Sequence, residues 1–118
     1  MFLTSVVTAA YNPASVSTYL SSLASNQGAD IEWIVVDDGS DPAFYSAFDN
    51  VAARGVGVIR LTTNSGQAAA RNAGLAAAKG KWVKFLDIDD ELEADHLEAL
   101  CYAAEAAPSS VIPFAPTV

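Results

Sequence analysis

Apolar positions along this chain fall mostly in short continuous runs. Leu3 to Ala10, Ile31 to Val36, Val56 to Leu61 and Lys81 to Leu86 are brief and dominated by apolar residues, the pattern of strands buried on both faces. Between these runs the spacing lengthens to that of helices. Val16, Tyr19, Leu20 and Leu23 recur at helical intervals from about Pro13 to Ser25, and Phe44, Phe48 and Val51 do so after an Asp41-Pro42 start. A third helix is expected from a cap at Asn64 or Ser65 through Lys79, with Gly80 as its stop. A fourth runs from about Ala94 to Ala107, and Ser109 to Phe114 reads as a fifth strand whose end Pro113 and Pro116 weaken. Strands alternating with helices predict an α/β fold: three layers, with a mainly parallel sheet covered by helices on both faces.

Composition narrows the picture. The 118 residues fit one domain, 1–118, and 52% apolar against 17% charged residues supplies a core and argues against disorder. Six Lys and Arg against fourteen Asp and Glu give a net charge of -8, which repels phosphate backbones and excludes nucleic acid as a partner unless a cation intervenes. No basic segment precedes a long apolar run, and nothing approaches the ~18 apolar residues of a membrane span. The expectation is a soluble, cytoplasmic chain with no membrane segment. Cys101 has no second cysteine to pair with and reads as a small buried hydrophobe.

Ligands of open α/β sheets bind beyond the carboxyl ends of the strands. Those ends read Thr8-Ala9-Ala10-Tyr11-Asn12, Asp37-Asp38-Gly39-Ser40, Thr62-Thr63-Asn64-Ser65-Gly66 and Asp87-Ile88-Asp89-Asp90. If the strand continues past Leu86, Asp87 and Asp89 project to one side, and two converging carboxylates call for a shared cation or proton. A hard divalent ion, Mg²⁺ or Mn²⁺, fits oxygen ligands and leaves positions for phosphate. The competing reading is a solvated acidic loop leading into a helix, to which Glu91, Glu93, Asp95 and Glu98 belong. Asp38 suits either hydrogen bonding to a nucleotide or an Asx turn with Gly39 and Ser40. Arg71 is the sole cation of residues 65–78, with Gln67 one turn earlier on the same face; it suits a phosphate, the rim carboxylates, or a plain surface ion pair. His96 has no partner at ligand spacing and reads as a surface residue.

Four blocks in order carry a family resemblance: Thr8 to Asn12, Trp33-Ile34-Val35-Val36-Asp37-Asp38-Gly39-Ser40, Asn64-Ser65-Gly66-Gln67-Ala68-Ala69-Ala70-Arg71-Asn72-Ala73-Gly74, and Phe85-Leu86-Asp87-Ile88-Asp89-Asp90. Together they resemble the family 2 glycosyltransferases of the GT-A fold, over Ser5 to about Leu100. The resemblance implies the Rossmann-like nucleotide-binding half of that fold. It also implies a nucleotide-diphospho-sugar donor, a UDP-sugar being the first candidate, and inverting transfer to an acceptor that the sequence does not identify. By matching position, Ala10 and Tyr11 line the base pocket, Asp38 receives the base, Arg71 lies on the nucleotide-side helix, Asp87 lies near the ribose or donor sugar, and Asp89 of the DXD motif holds Mg²⁺ or Mn²⁺.

Members of that family usually continue for at least another hundred residues, so the chain is expected to stop before the acceptor half and its catalytic carboxylate. No catalytic base is assigned, and an exposed sheet edge makes self-association an expectation. Two other readings stand beside this one. The first is an inactive nucleotide-binding or interaction module. The second is a phosphoryl-transfer enzyme of haloacid dehalogenase type using Asp87 and Asp89, which ranks third because Asp90 and Glu91 occupy positions where that family places Gly and Thr or Val.

Overall fold

A computed structural model describes residues 4–28 and 30–92. The expected helix 94–107, the strand 109–114, and with them Asp95, His96, Glu98 and Cys101, lie outside the described residues. The elements run β1 (Thr4–Ala10), α1 (Ser17–Ser25), β2 (Ile31–Asp37), a 3-10 turn (Pro42–Phe44), α2 (Tyr45–Ala52), β3 (Gly57–Arg60), α3 (Gln67–Ala77) and β4 (Trp82–Phe85). The four strands form one all-parallel sheet in the order β3-β2-β1-β4. This is the three-layer α/β arrangement expected from the runs.

Strand alternation divides the core in two. On one face Val6, Ala10, Trp33 and Val35 meet Tyr19 and Leu23 of α1 and Phe48 and Val51 of α2. On the other, Val7, Ile34 and Val36 meet Ala70 of α3, with Ala73 and Phe85 beside them. Tyr19 stands edge-on to Trp33 at 6.0 Å between ring centroids. Burial without a partner for its hydroxyl pushes the Tyr19 phenol well above the ordinary tyrosine pKa.

The start of α1 and both ends of α3 differ from the sequence reading, and a 3-10 turn precedes α2 at Pro42–Phe44. First, α1 begins at Ser17 and not near Pro13. Asn12 takes a left-handed φ of 44°, its N–H donates to Ser40 Oγ at 2.8 Å, and its Oδ1 accepts from Asp41 N–H at 2.9 Å. Those bonds tie the segment after β1 to the segment after β2 and keep it out of the helix.

Second, Asn64 and Ser65 do not cap α3; Gly66, at φ 98°, precedes it. Third, α3 ends at Ala77, and Gly80 is needed for close approach where a stop was expected. A Cβ on Gly80 would sit 2.6 Å from Ser5 N and 2.7 Å from Ser5 Oγ. There the Gly80 N–H donates to Ser5 Oγ at 2.8 Å, and Glu32 Oε1 accepts from Ser5 Oγ at 2.7 Å and from Lys79 N–H at 2.9 Å.

Gly74 sets how close α3 lies to the sheet, since an added Cβ would overlap Val7 Cγ1 and come within 3.2 Å of Val36 Cγ2. Alanine improves helix propensity by about 1 kcal/mol, whereas overpacking a close core contact costs about 1–3 kcal/mol. Gly74→Ala is therefore expected to lower stability in urea denaturation, and a rise would show that the α3–sheet contact is looser than described.

Candidate functional site

The segments at the carboxyl ends of β1, β2 and β3 surround a hollow of about 290 Å³ lined by Ala9, Ala10, Tyr11, Asp38, Asn64, Gly66 and Gln67. A second hollow, about 360 Å³ and lined by residues such as Ser15, Ser17, Ser46 and Asn50, has no charged side chain. The first is the better candidate because few, placed polar groups among small walls are what fix a ligand's orientation.

The consecutive acids of β2 have separate tasks. Asp37 is fully buried: its Oδ1 accepts from Ser40 N–H at 2.8 Å and its Oδ2 from Arg60 Nε at 2.9 Å. The Arg60 guanidinium lies 3.7 Å from the Tyr45 ring centroid, so β3 and α2 together hold the pair. The Asx-type turn considered for Asp38 therefore belongs to Asp37.

Asp38 is only 4% exposed. Its Oδ1 accepts from Ser65 N–H at 2.8 Å, and its Oδ2 accepts from Gly66 N–H at 3.0 Å and Asn64 Nδ2 at 3.2 Å. Asn64 Nδ2 also reaches the Asp38 carbonyl at 3.2 Å. Gly39 permits this approach: at φ 72° its missing Cβ would overlap the backbone of Thr63 and Asn64.

Beyond the hollow, α3 reaches the end of β4. Asp87 Oδ1 accepts from Arg71 Nη2 at 3.3 Å and from Gln67 Nε2 at 3.4 Å, and the Arg71 guanidinium lies 5.5 Å from the Phe85 ring centroid. The Asp87 side chain is half exposed. The strand does not continue through Asp89, because Asp90 N–H donates to the Asp87 carbonyl at 3.0 Å and closes a turn. The strand-alternation argument for Asp87 and Asp89 on one side thus does not apply. The Asp89 carboxylate is exposed and takes no hydrogen bond or ion pair among the described residues, which also hold no group of three or more metal-ligating side chains.

The comparisons with known proteins bear on this rim. The description Glycosyl transferase family 2 matches residues 5–117. The chain belongs to that family. Among curated relatives, it is 37% identical over 109 residues to the succinoglycan biosynthesis protein ExoO of Rhizobium meliloti, covering 89% of this chain and 30% of that protein. It is 35% identical over 100 residues to the putative teichuronic acid biosynthesis glycosyltransferase TuaG of Bacillus subtilis, covering 81% and 39%. Among solved structures, S. aureus TarS residues 1–349 in complex with UDP superposes with a TM-score of 0.79 at 27% identity, over 89% of this chain and 32% of that one. The chain thus spans 30% to 39% of the length of these two curated relatives.

In this glycosyl transferase family 2 chain, the structure brings Ala10, Tyr11 and Asp38 to one hollow and Arg71 and Asp87 to one contact beside it, with Gln67 touching both. Asp89 lies in the turn that follows. Ala9, Asn64, Gly66 and Gln67 line the hollow without having been singled out as site residues. Their signal was positional: Ala9 ends the first strand run, and the others follow the third. No helix among the described residues is long and apolar enough to cross a membrane.

Gly39→Ala should cost more than ~2 kcal/mol, since the left-handed conformation alone costs about 1–2 kcal/mol for a residue with a Cβ and the Thr63–Asn64 backbone must also move. Thermal unfolding checks this; an unchanged midpoint would mean that the two loops are not in contact.

Proposed function

We propose that the chain is the donor-binding half of an inverting glycosyltransferase that takes a nucleotide-diphospho-sugar, with a UDP-sugar as the first candidate. The carrying observation is the polar-edged hollow at the carboxyl ends of the strands, continuous through Gln67 with the Arg71–Asp87 contact. TarS, similar to this chain at 27% and 28% identity, has been solved with UDP and with UDP-GlcNAc. In this reading Tyr11 and Ala10 flank the base and Asp38 receives it. A carboxylate offers about four acceptor positions; the loop after β3 takes three at Asp38, leaving capacity for a base N–H. Asp87 lies on the sugar side, and Arg71 on the nucleotide side.

Asp89 fits a Mg²⁺ or Mn²⁺ site, being an exposed carboxylate without a competing protein partner among the described residues. Hard divalent ions are commonly held by one or two carboxylates plus substrate phosphates and water. When bound, the ion would offset the diphosphate charge that an acidic chain of net charge -8 repels. In the transfer itself, the acceptor hydroxyl oxygen bonds to the anomeric carbon as the bond from that carbon to the diphosphate oxygen breaks. The electron pair leaves with the nucleoside diphosphate. The hydroxyl proton goes to a base, of the carboxylate class, that none of the assigned residues supplies. In this reading the part played by the assigned residues is to bind and orient the donor. A cytoplasmic location is part of this reading.

Calorimetric titration of UDP, GDP and dTDP with Mn²⁺ or with chelator is the test. UDP is expected to bind only with the metal, and Asp89→Asn to weaken it by at least about tenfold, the loss of one charged contact. Failure of a folded chain to bind any of the three would leave the family fold without donor binding and favour the interaction-module reading.

A further inference from the structure

Asp38 touches more of the rim than a base-recognition residue needs to. Its carboxylate accepts the backbone N–H groups of Ser65 and Gly66, the two residues immediately before α3. The first and second turns of α3 then carry Gln67 and Arg71, and both donate to Asp87 Oδ1. A buried carboxylate at the end of β2 is thereby connected, through one helix, to an exposed carboxylate at the end of β4. β2 and β4 do not pair directly, since β1 lies between them in the sheet.

We infer that Asp38 is a positioning residue for the diphosphate end of the site, acting through α3 on Gln67, Arg71 and Asp87. Several features require the connection to be direct. The N–H groups before a helix need acceptors, and Gly66, at φ 98°, offers no side-chain cap. Asp38 supplies that acceptor from another strand, and its charge favours the positive end of the α3 dipole. The two donors to Asp87 are long, at 3.3 and 3.4 Å, so a small shift in the start of α3 is enough to break them. Gly74, packed against Val7 and Val36, holds the far part of the helix, leaving Asp38 to fix its start.

The inference rests on the donor-binding reading, and its test separates the two. UMP and UDP are titrated with Mn²⁺ into the full chain and into Asp38→Asn. Losing the base contact weakens both ligands, and if Asp38 also positions the diphosphate end, UDP affinity falls by about threefold or more beyond the fall in UMP affinity, so the advantage of the second phosphate shrinks. Equal losses for both ligands would confine Asp38 to the base and overturn the inference.

A second readout needs no ligand. In ¹H–¹⁵N spectra of the unliganded chain, Asp38→Asn should displace the amides of Ser65 and Gly66 and also the Arg71 Nε–H and the Asp87 amide. Displacement that ends at Gly66 overturns the inference, even if UMP and UDP bind neither protein and the donor reading has failed on its own. Should Asp38→Asn not fold, Asn64→Ala removes one of the three donors to the same carboxylate and carries both readouts, with smaller changes in the same direction.

Discussion

Everything at the carboxyl rim depends on one buried anion finding its donors. Asp38 is almost sealed from solvent, and a carboxylate in that position is tolerated only when hydrogen bonds replace its water. The replacements come from Asn64, Ser65 and Gly66, which lie between β3 and α3. That requirement explains why Gly39 has no side chain, why Gly66 stands at a positive φ and why α3 starts where it does. A neighbouring set of bonds joins Asn12 to Ser40 and Asp41, and Gln67 and Arg71 reach on to Asp87. The segments after all four strands are thus cross-braced in series, from Asn12 to Asp87.

The sheet beneath was readable in the sequence because its signal is local. Apolar runs marked all four described strands and helical spacing marked α1 and α2, since both depend on burial periodicity within a single element, whereas α3 was marked by cap and stop residues. The alternation that places Asp37 and Asp38 on different faces was equally available, yet which of them made the Asx-type turn was not. That choice depended on Arg60 and Tyr45, which lie on β3 and α2 and meet Asp37 only after folding. Asn64 and Ser65 looked like helix caps because their residue types favour that role. They are drawn instead to a carboxylate 26 and 27 residues away in the chain, a competition invisible to local reasoning. The one-sided placement of Asp87 and Asp89 was conditional on a continuing extended backbone, and a local turn at Asp90 interrupts it.

Charge gives the arrangement its chemical sense. If a protein of net charge -8 takes a diphosphate, as proposed, it needs compensation at the place where the phosphates lie, and Arg71 is already partly neutralised by Asp87. In the proposed function a divalent ion at Asp89 supplies the balance, while the braced loops hold the base at a fixed distance from it. Membership in glycosyl transferase family 2 and the likeness to TarS, solved with UDP, support a nucleotide-sugar donor in general. In the proposed function the acceptor and the proton-accepting base lie outside the residues assigned to the donor.

The central claim is that the carboxyl rim, and not another surface, receives the nucleotide. Titration of the ¹⁵N-labelled chain with UDP and diamagnetic Mg²⁺, followed by amide chemical shift, addresses it residue by residue. The account predicts saturable shifts at Tyr11, Asp38, Asn64, Gln67 and Asp87, with Ser5, Glu32 and Gly80 at the opposite end of the sheet unmoved. Shifts concentrated around Ser5, Glu32 and Gly80, or none anywhere in a well-dispersed spectrum, would contradict it.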